Sequence, residues 1–256
     1  MILLKTREEI ELIRDAGVLL SKTLAEVGRH VRPGVTTSFL DKIGEQYITD
    51  NGAKPLCKGY EGFPSAFCIS VNDVVVHGIP GDVFLKEGDN VSVDCVIEYN
   101  GYVADSAYTF PVGEVSHDMV RLMKVTKESL FIGLDLCKVG NRVGDISHAI
   151  QMHCEKNGYS VVHELCGHGV GFEMHESPNV PNYGMKGTGP LLKEGMVIAV
   201  EPMVCMGSRN VIFSSEDGWT CRTRDGRPAA HYEHTVAITA DGPDILTTFD
   251  FIENVR

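Results

Sequence analysis

The chain contains LKEGDNVSVD at residues 85–94 and repeats it as LKEGMVIAVE at residues 192–201, so that both copies end in an acidic residue. Nearly the same offset, within one residue, aligns further pairs, Gly34 with Gly140 and Asn51-Gly52 with Asn157-Gly158. Internal similarity of this kind is typical of repeated supersecondary units that pack on one another. The sequence therefore predicts two pseudo-symmetric halves, about residues 1–110 and 111–256, whose acids converge where the halves meet.

Composition restricts the class of protein. The chain has 256 residues and no Pro/Ser-rich linker, which favours a single domain over residues 1–256. Its formal charge of -12 argues against nucleic acid as the substrate. The eight cysteines form no CxxC pair, which indicates reduced thiols and no zinc knuckle or redox dithiol. No segment resembles a signal peptide or a membrane span, so we expect a soluble, cytoplasmic protein that does not enter the membrane.

Two pairs of helices follow from capping and spacing signals. Thr6 and Glu9 form a capping-box pattern that begins a helix ending by Pro33-Gly34, and a second helix runs from about Ser38 to Asn51-Gly52. The second half predicts a helix ending near Val139-Gly140 and another ending at Asn157-Gly158. The residues at helical spacing are Ile10, Ile13, Leu20, Leu24 and Val27 in the first helix, Leu40, Ile43 and Tyr47, facing inward, in the second, Val120, Met123, Leu130 and Leu134 in the third, and Ile146, Ala149, Ile150 and His153 in the fourth.

The strands between these helices carry acidic residues. Residues 91–99 and 102–110 flank Asn100-Gly101, the dipeptide most favoured in two-residue hairpin turns. Such a turn places Val96 opposite Asp105, with Asp94 diagonal to Asp105 at roughly 7–8 Å between backbones. Strands at 196–201 and 232–238 carry Glu201 and Glu233 in the same way. We therefore expect an α+β fold with a central antiparallel sheet and the helix pairs packed outside it.

The converging acids predict a metal site. Four carboxylates in one cleft repel each other unless cations compensate them, and two divalent ions balance their charge. His168 lies in the glycine-rich stretch 166–171, where we expect a loop whose glycines permit close backbone approach. A carboxylate-rich site with one imidazole suits Mn, Fe(II), Co or Zn, and the sequence does not distinguish among these metals.

These residues also resemble a known family. Asp94, Asp105, His168 in GHG, Glu201 in VEPM and Glu233 in YEHT resemble, in order and flanking sequence, the five metal ligands of the methionine aminopeptidases. The resemblance implies the pita-bread fold, whose two similar halves agree with the repeat. The interval between Glu201 and Glu233 is too short for the helical insertion of type II enzymes. Because the chain also begins at the catalytic domain, with no zinc-binding extension before it, the short bacterial type I form is the closer match.

The resemblance implies a hydrolase that removes the initiator methionine from nascent chains with a small second residue. Asp94 would bind one ion, His168 with Glu201 the other, and Asp105 with Glu233 both. Glu201 would act as general base, His175 would donate to the scissile carbonyl, and His77 would contact the scissile amide nitrogen. The residues implied for substrate binding are Cys57, Tyr60, Phe63, Cys68, His77, Met174, His175 and Trp219.

Further expectations concern the pocket, two more histidines, a monovalent cation and the partners of the protein. Phe63 stands where some family members carry tyrosine, and Met174 stands where phenylalanine is usual in the family. The pocket can therefore differ from theirs. His231 and His234 are candidates for contacts behind the ligands. A monovalent-cation position near Asn72, docking to the ribosome and a monomeric state are expectations of the family only. The alternatives are a proline-directed relative of aminopeptidase P or prolidase, and a non-catalytic pita-bread binding protein.

Overall fold

The computed structural model of the protein describes residues 1–254. The α-helices are α1 (Arg7–Arg29), α2 (Thr37–Asp50), α3 (His117–Leu134), α4 (Val143–Lys156) and α5 (Asp250–Glu253), and a 3-10 turn covers Tyr60–Gly62. The strands of the first half are β1 (Lys54–Pro55), β2 (Cys68–Val71), β3 (Val74–Val76), β4 (Asn90–Tyr99) and β5 (Tyr102–Pro111). Those of the second half are β6 (Ser160–Val161), β7 (Cys166–Gly169), β8 (Glu176–Pro181), β9 (Val197–Val200), β10 (Met203–Cys205), β11 (Val211–Phe213), β12 (Cys221–Thr223), β13 (Ala229–His231), β14 (Glu233–Thr239) and β15 (Gly242–Ile245).

The main sheet joins the two halves. Its strand order is β1-β4-β5-β14-β9-β7-β8, with β2 added beside β4 and β15 beside β14, and its pairs are antiparallel. At the junction, β5 and β14 pair only at Ala107 with Glu233 and Ser106 with His234. The Thr235 hydroxyl reinforces this short contact, because it donates to the Asp105 carbonyl at 2.8 Å and accepts from the Asp105 amide at 3.0 Å. Strands from both halves therefore meet beside Asp105 and Glu233.

The repeat in the sequence is a repeat in the structure. The Gly34 amide donates to the Leu85 carbonyl at 2.8 Å, and the equivalent Gly140 amide donates to the Leu192 carbonyl at 3.1 Å. The glycines of both LKEG turns have left-handed φ angles, 89° and 87°, which non-glycine residues rarely adopt. Each copy thus joins its helix pair to the sheet in the same way. The predicted pita-bread fold, with two pseudo-symmetric halves around an antiparallel sheet, is confirmed.

The helix predictions hold in outline and fail in two details. Thr6 and Glu9 form the expected reciprocal capping box at the start of α1. In α2 the buried face is Leu40, Gly44 and Ile48, whereas the predicted Ile43 and Tyr47 are only half-buried. A side chain at Gly44 would overlap the ring of Phe67, so the glycine lets this face of the helix approach the core.

The third helix is shorter than predicted. It ends at Leu134 and not near Val139, because the chain continues in turns in which the Cys137 amide donates to the Leu134 carbonyl at 2.9 Å. Val120 is 48% exposed and does not face the core. The helix instead buries Met119, Leu122 and Leu130 against the second half of the sheet.

The strand predictions are confirmed closely. In the hairpin Val96 faces Asp105 and Tyr99 faces Tyr102, which is the register that a two-residue turn requires. His168 is a correction, since it lies in strand β7 and not in a loop. That strand pairs with both β8 and β9, and its register shifts between Gly167 and Gly169. Within residues 1–254, no helix combines the length and apolar character required to cross a membrane.

Candidate active site

A cavity of about 540 Å³ opens beside the junction of the two halves. It is lined by all the residues predicted as metal ligands, catalytic groups or substrate-binding groups, namely Cys57, Tyr60, Phe63, Cys68, His77, Asp94, Asp105, His168, Met174, His175, Glu201, Trp219 and Glu233. These residues come from segments spread over most of the chain, which the sheet brings together. The lining therefore combines acids and imidazoles with aromatic rings, thiols and a thioether.

The acidic residues and His168 have the geometry of a metal site. Ligand atoms of Asp105, His168 and Glu233 all lie within 4.8 Å of one another. The His168 Nε2 atom is 3.6 Å from Asp105 Oδ2 and 3.5 Å from Glu201 Oε1. Asp94 lies on β4 opposite Ala107, which in turn pairs with Glu233 on β14. Adjacent strands thus present these carboxylates to a common space.

Burial makes this set of carboxylates costly without cations. Loss of solvation raises the pKa of Glu201 to about 8 and that of Asp94 to about 6. It also holds the pKa values of Asp105 and Glu233 well above their usual range, with repulsion from neighbouring carboxylates as a further cause. The buried atoms Asp105 Oδ1 and Glu233 Oε1 accept no hydrogen bond. Oxygen atoms left buried and unpaired in this way fit coordination of hard divalent cations.

His168 is prepared to act as a ligand through one ring nitrogen. Its Nδ1 atom lies 3.0 Å from the Gly169 carbonyl oxygen, to which a protonated Nδ1 donates. The Nε2 atom then carries the lone pair that faces the acids, which is the arrangement expected of a metal-binding imidazole. Burial, together with the nearby His175, lowers the pKa of His168 to about 4, so the ring is neutral at pH 7.

Gly167 allows β7 to approach β9 at this point. A methyl group on Gly167 would lie 2.4 Å from the Ala199 carbonyl oxygen and 3.3 Å from Cγ of Glu201. The first of these contacts is with backbone, which cannot rotate away. The glycine therefore fixes the spacing between the strands that carry His168 and Glu201.

Substituting Gly167→Ala is expected to push β7 and β9 apart. Overpacking of this kind costs about 1–3 kcal/mol of unfolding free energy and should also weaken metal binding. Gly81→Ala is the matched control, because a methyl group there meets nothing within 4 Å. Urea unfolding and metal titration of both variants provide the measurement. Equal midpoints and affinities would contradict this role for Gly167.

Two histidines face the cavity from outside the acidic cluster. The His175 Nδ1 atom is 2.9 Å from the Tyr60 hydroxyl, which orients the ring. His77 has a left-handed backbone, φ 57°, and its ring packs edge-on against Trp219 at 6.0 Å between centroids. Burial lowers the pKa of His77 to about 4 and lowers that of His175 as well. Both rings are therefore largely neutral near pH 7, when each can donate one N–H.

His231 and His234 differ in position although they are close in sequence. His231 Nε2 lies 3.6 Å from Glu201 Oε2, so this histidine lies behind a predicted ligand. His234 instead contacts the Thr247 hydroxyl at 2.6 Å and stacks on Phe249 with ring centroids 3.9 Å apart. His231 ends β13 and His234 lies in β14, which belongs to a different sheet, so histidines that are close in sequence need not share a site.

Asn72 lies outside the cavity. Its backbone is left-handed, φ 53°, and its side chain bonds Asp89 and the Asn90 amide at 2.8 and 3.1 Å. The cavity also contains residues that the sequence did not single out, which are Glu61, Val76, Val96, Leu165, Cys166, Glu176, Ser177, Asn179 and Met203. Several of these residues adjoin predicted site residues in the sequence, and that adjacency is the sequence signal that points to them.

Comparisons with known proteins agree with this geometry. A family model for metallopeptidase family M24 matches residues 11–240. The methionine aminopeptidase of Clostridium perfringens is 51% identical over 247 residues, covering 96% of this chain and 99% of that protein. The crystal structure of methionine aminopeptidase from Rickettsia prowazekii superposes with a TM-score of 0.96 at 42% identity, covering 97% of this chain and 100% of that one. Prolidase from Pyrococcus furiosus gives a TM-score of 0.78 at 25% identity and is covered to only 65% of its length.

Proposed function

Because the chain belongs to metallopeptidase family M24, among its methionine aminopeptidases, we propose that this cavity removes the initiator methionine from proteins with a small second residue. The observation that carries the proposal is the buried acidic cluster beside an apolar pocket in one cavity. The enzyme is a hydrolase and an exopeptidase. The proline-directed alternative has less support, since the prolidase is less similar in both sequence and structure.

We assign the five residues Asp94, Asp105, His168, Glu201 and Glu233 as ligands of two divalent ions. Their donor atoms suit Mn, Fe(II), Co or Zn. When bound, such ions polarise a peptide carbonyl and favour deprotonation of water at neutral pH. The buried, unpaired oxygens of Asp105 and Glu233 support this assignment, because they have no protein donor to bind.

The remaining steps fall to side chains of the chain itself. The carboxylate of Glu201, ionised once it binds a cation, is placed to take up the proton of the attacking water. With the Tyr60 hydroxyl donating to its Nδ1 atom, His175 donates a hydrogen bond from Nε2–H to the carbonyl oxygen of the scissile bond as negative charge develops there. His77 contacts the scissile amide nitrogen from the Trp219 side of the cavity.

The pocket next to these groups suits a methionine side chain. Cys57, Phe63, Cys68 and Met174 are buried, and Trp219 is half-buried with its ring 5.2 Å from that of Phe63. A flexible thioether packs well against such aromatic and sulfur-containing walls. Phe63 and Met174 bring no hydroxyl into the pocket, so it should discriminate by shape and apolar contact.

The activity itself is tested with a mixture of Met-Ala, Met-Lys and Ala-Pro peptides. Metal-loaded protein should release methionine from the Met-Ala peptide alone, and a chelator-treated sample should release nothing. Mass spectrometry identifies each product. Cleavage before proline would support the proline-directed alternative, and no cleavage with any of the four metals would support a binding protein without catalysis.

Truncation of the pocket should affect substrate binding more than chemistry. Trp219→Ala is expected to raise KM for the Met-Ala peptide about tenfold, since an aromatic wall of the pocket is lost while the metal ligands remain. Phe213→Ala is the matched control, because this ring is 50% exposed and lies outside the cavity. An unchanged KM in steady-state kinetics would remove Trp219 from the pocket.

The setting of the reaction completes the proposal. We place the enzyme in the cytoplasm, where nascent N-termini are its protein partners, as a single catalytic domain over residues 1–256 that works as a monomer. The net charge of -12 means that docking on the ribosome would depend on a local basic surface. A monovalent cation near Asn72 would bind main-chain oxygens, since the Asn72 amide group already bonds protein partners.

A further inference from the structure

A buried lysine contacts the segment that carries His175. Lys5 precedes α1, and its Nζ atom forms an ion pair with Glu176 Oε2. The two side chains are 1% and 3% exposed. Lysine and glutamate are rarely buried to this degree without a specific partner. The pair therefore needs an explanation within the fold, and neither residue is used in the proposed chemistry.

Glu176 organises the loop next to it. Its second oxygen, Oε1, accepts the backbone amides of Phe172 and Glu173 at 2.7 and 3.1 Å. These amides belong to the loop of residues 170–175 between β7 and β8, which carries Met174 and His175. One carboxylate thus connects the middle of the loop to Lys5, with one oxygen on the loop amides and the other on the lysine.

Lys5 is itself held in place on several sides. Its backbone amide donates to the Gly195 carbonyl at 2.7 Å, in the second LKEG turn. Its Nζ atom lies 5.1 Å from the centre of the Phe172 ring, within range of a cation–π contact. At Gly171 a methyl group would lie 2.8 Å from Lys5 Cε, so this glycine leaves room for the lysine.

A buried ion pair is a weak source of stability, because removing both charges from water costs about as much as their attraction returns. What this pair does supply is a fixed position for Glu176 and for the loop amides bound to it. Resting on the proposed function, we propose that Lys5 is a positioning residue that, through Glu176, holds His175 in the orientation needed to donate to the substrate carbonyl.

This role predicts a particular kinetic change. A displaced His175 weakens an interaction made in the transition state, which lowers kcat and kcat/KM together. Misplacement of a reacting group by about 1 Å can lower the rate by as much as 10²-fold. KM should change little, because most walls of the pocket, including Cys57, Phe63 and Trp219, lie on other segments. A partial loss of folded protein would also lower the apparent kcat at unchanged KM, but the native His175 signal would then keep its position and lose intensity together with the native signals of the other histidines.

The test compares Lys5→Met, the double variant Lys5→Met/Glu176→Gln and the control Arg7→Met. Arg7 is two positions away and 86% exposed, so its substitution removes the same charge at the surface. The double variant leaves no unpaired buried charge and keeps the protein testable if Lys5→Met alone unfolds. Each protein is metal-loaded, checked for metal content and thermal unfolding, and assayed on the Met-Ala peptide. Nuclear magnetic resonance of 15N-labelled histidine, in the metal-free protein, follows His175.

We expect the Lys5 variants to lose about tenfold or more in kcat, with KM within about threefold of the wild type. We also expect the His175 ring signals to shift or broaden, while those of His234 stay unchanged. Arg7→Met should match the wild type in every measurement. A folded double variant with wild-type kcat and wild-type His175 signals would overturn the inference. If the wild type itself releases no methionine, the proposed function fails, and the resonance result still decides whether Lys5 positions His175.

Discussion

Replacing Glu201 by alanine is expected to lower kcat/KM for a Met-Ala peptide by about 10⁴-fold. When catalytic groups act as a unit, the loss of one lowers the rate by several orders of magnitude. Glu201 has both tasks in the proposed site, with Oε1 3.5 Å from His168 Nε2 and Oε2 3.6 Å from His231 Nε2. One of the two metal positions should lose affinity in the same variant. Kinetics and metal analysis on the same preparation provide the measurement.

The loss should occur without unfolding. Glu201 faces an open cavity, and burial already disfavours its charged form, so truncation removes an unfavourable group from the metal-free protein. Glu194→Ala serves as the control, because its side chain is 55% exposed and lies outside the cavity. A folded Glu201→Ala protein that still hydrolyses the peptide at a rate comparable to that of the wild type would contradict the assigned mechanism.

Metal affinity is expected to rise steeply with pH between about pH 5 and 8. Asp94, with a pKa of about 6, and Glu201, with a pKa of about 8, must give up protons before they bind a cation. Below about pH 6 both carboxyls release a proton on binding, so the affinity should rise about 100-fold per pH unit, whereas between pH 6 and 8 Glu201 alone of these two does so and gives about tenfold. Calorimetric titration in two buffers of different ionisation enthalpy measures both the affinity and the protons released.

The stability of the metal-free protein should change in the opposite direction. Because the folded pKa of Glu201 is raised from 4.5 to about 8, the folded state binds more protons than the unfolded chain in this interval. Its contribution to stability is fully present below pH 4.5 and is lost as pH approaches 8. Bound metal replaces those protons and should restore stability at high pH. A metal affinity independent of pH would mean that these carboxyls are not the ligands.

Local signals in the sequence predicted much of the fold. The Asn100-Gly101 turn determines the register of its hairpin, and so the positions of Asp94 and Asp105 follow from residue spacing alone. The repeat predicted that Gly34 and Gly140 occupy equivalent positions, and their amides donate to the carbonyls of the equivalent residues Leu85 and Leu192. The end of α3 was less accessible, because the turns after Leu134 are closed by local backbone bonds, such as that from the Cys137 amide to the Leu134 carbonyl, which the spacing of apolar residues does not reveal.

Contacts between distant segments could not be predicted in this way. The strand pairing of His168 depends on close approaches at Gly167 that only the folded sheet creates. The bond between Tyr60 and His175 joins residues far apart in sequence, and so does the ion pair between Lys5 and Glu176. Residue types, spacing and the family resemblance thus indicated the proposed metal ligands, whereas the groups that orient the histidines emerged only from the fold.

Anomalous diffraction from crystals soaked in manganese tests the assignment of the ligands most directly. Two anomalous peaks are expected in the cavity, contacted together by Asp94, Asp105, His168, Glu201 and Glu233. In Glu201→Ala crystals the peak beside His168 should weaken while the one beside Asp94 persists. Manganese bound elsewhere, or a cavity that stays without manganese at concentrations that support catalysis, would contradict the account.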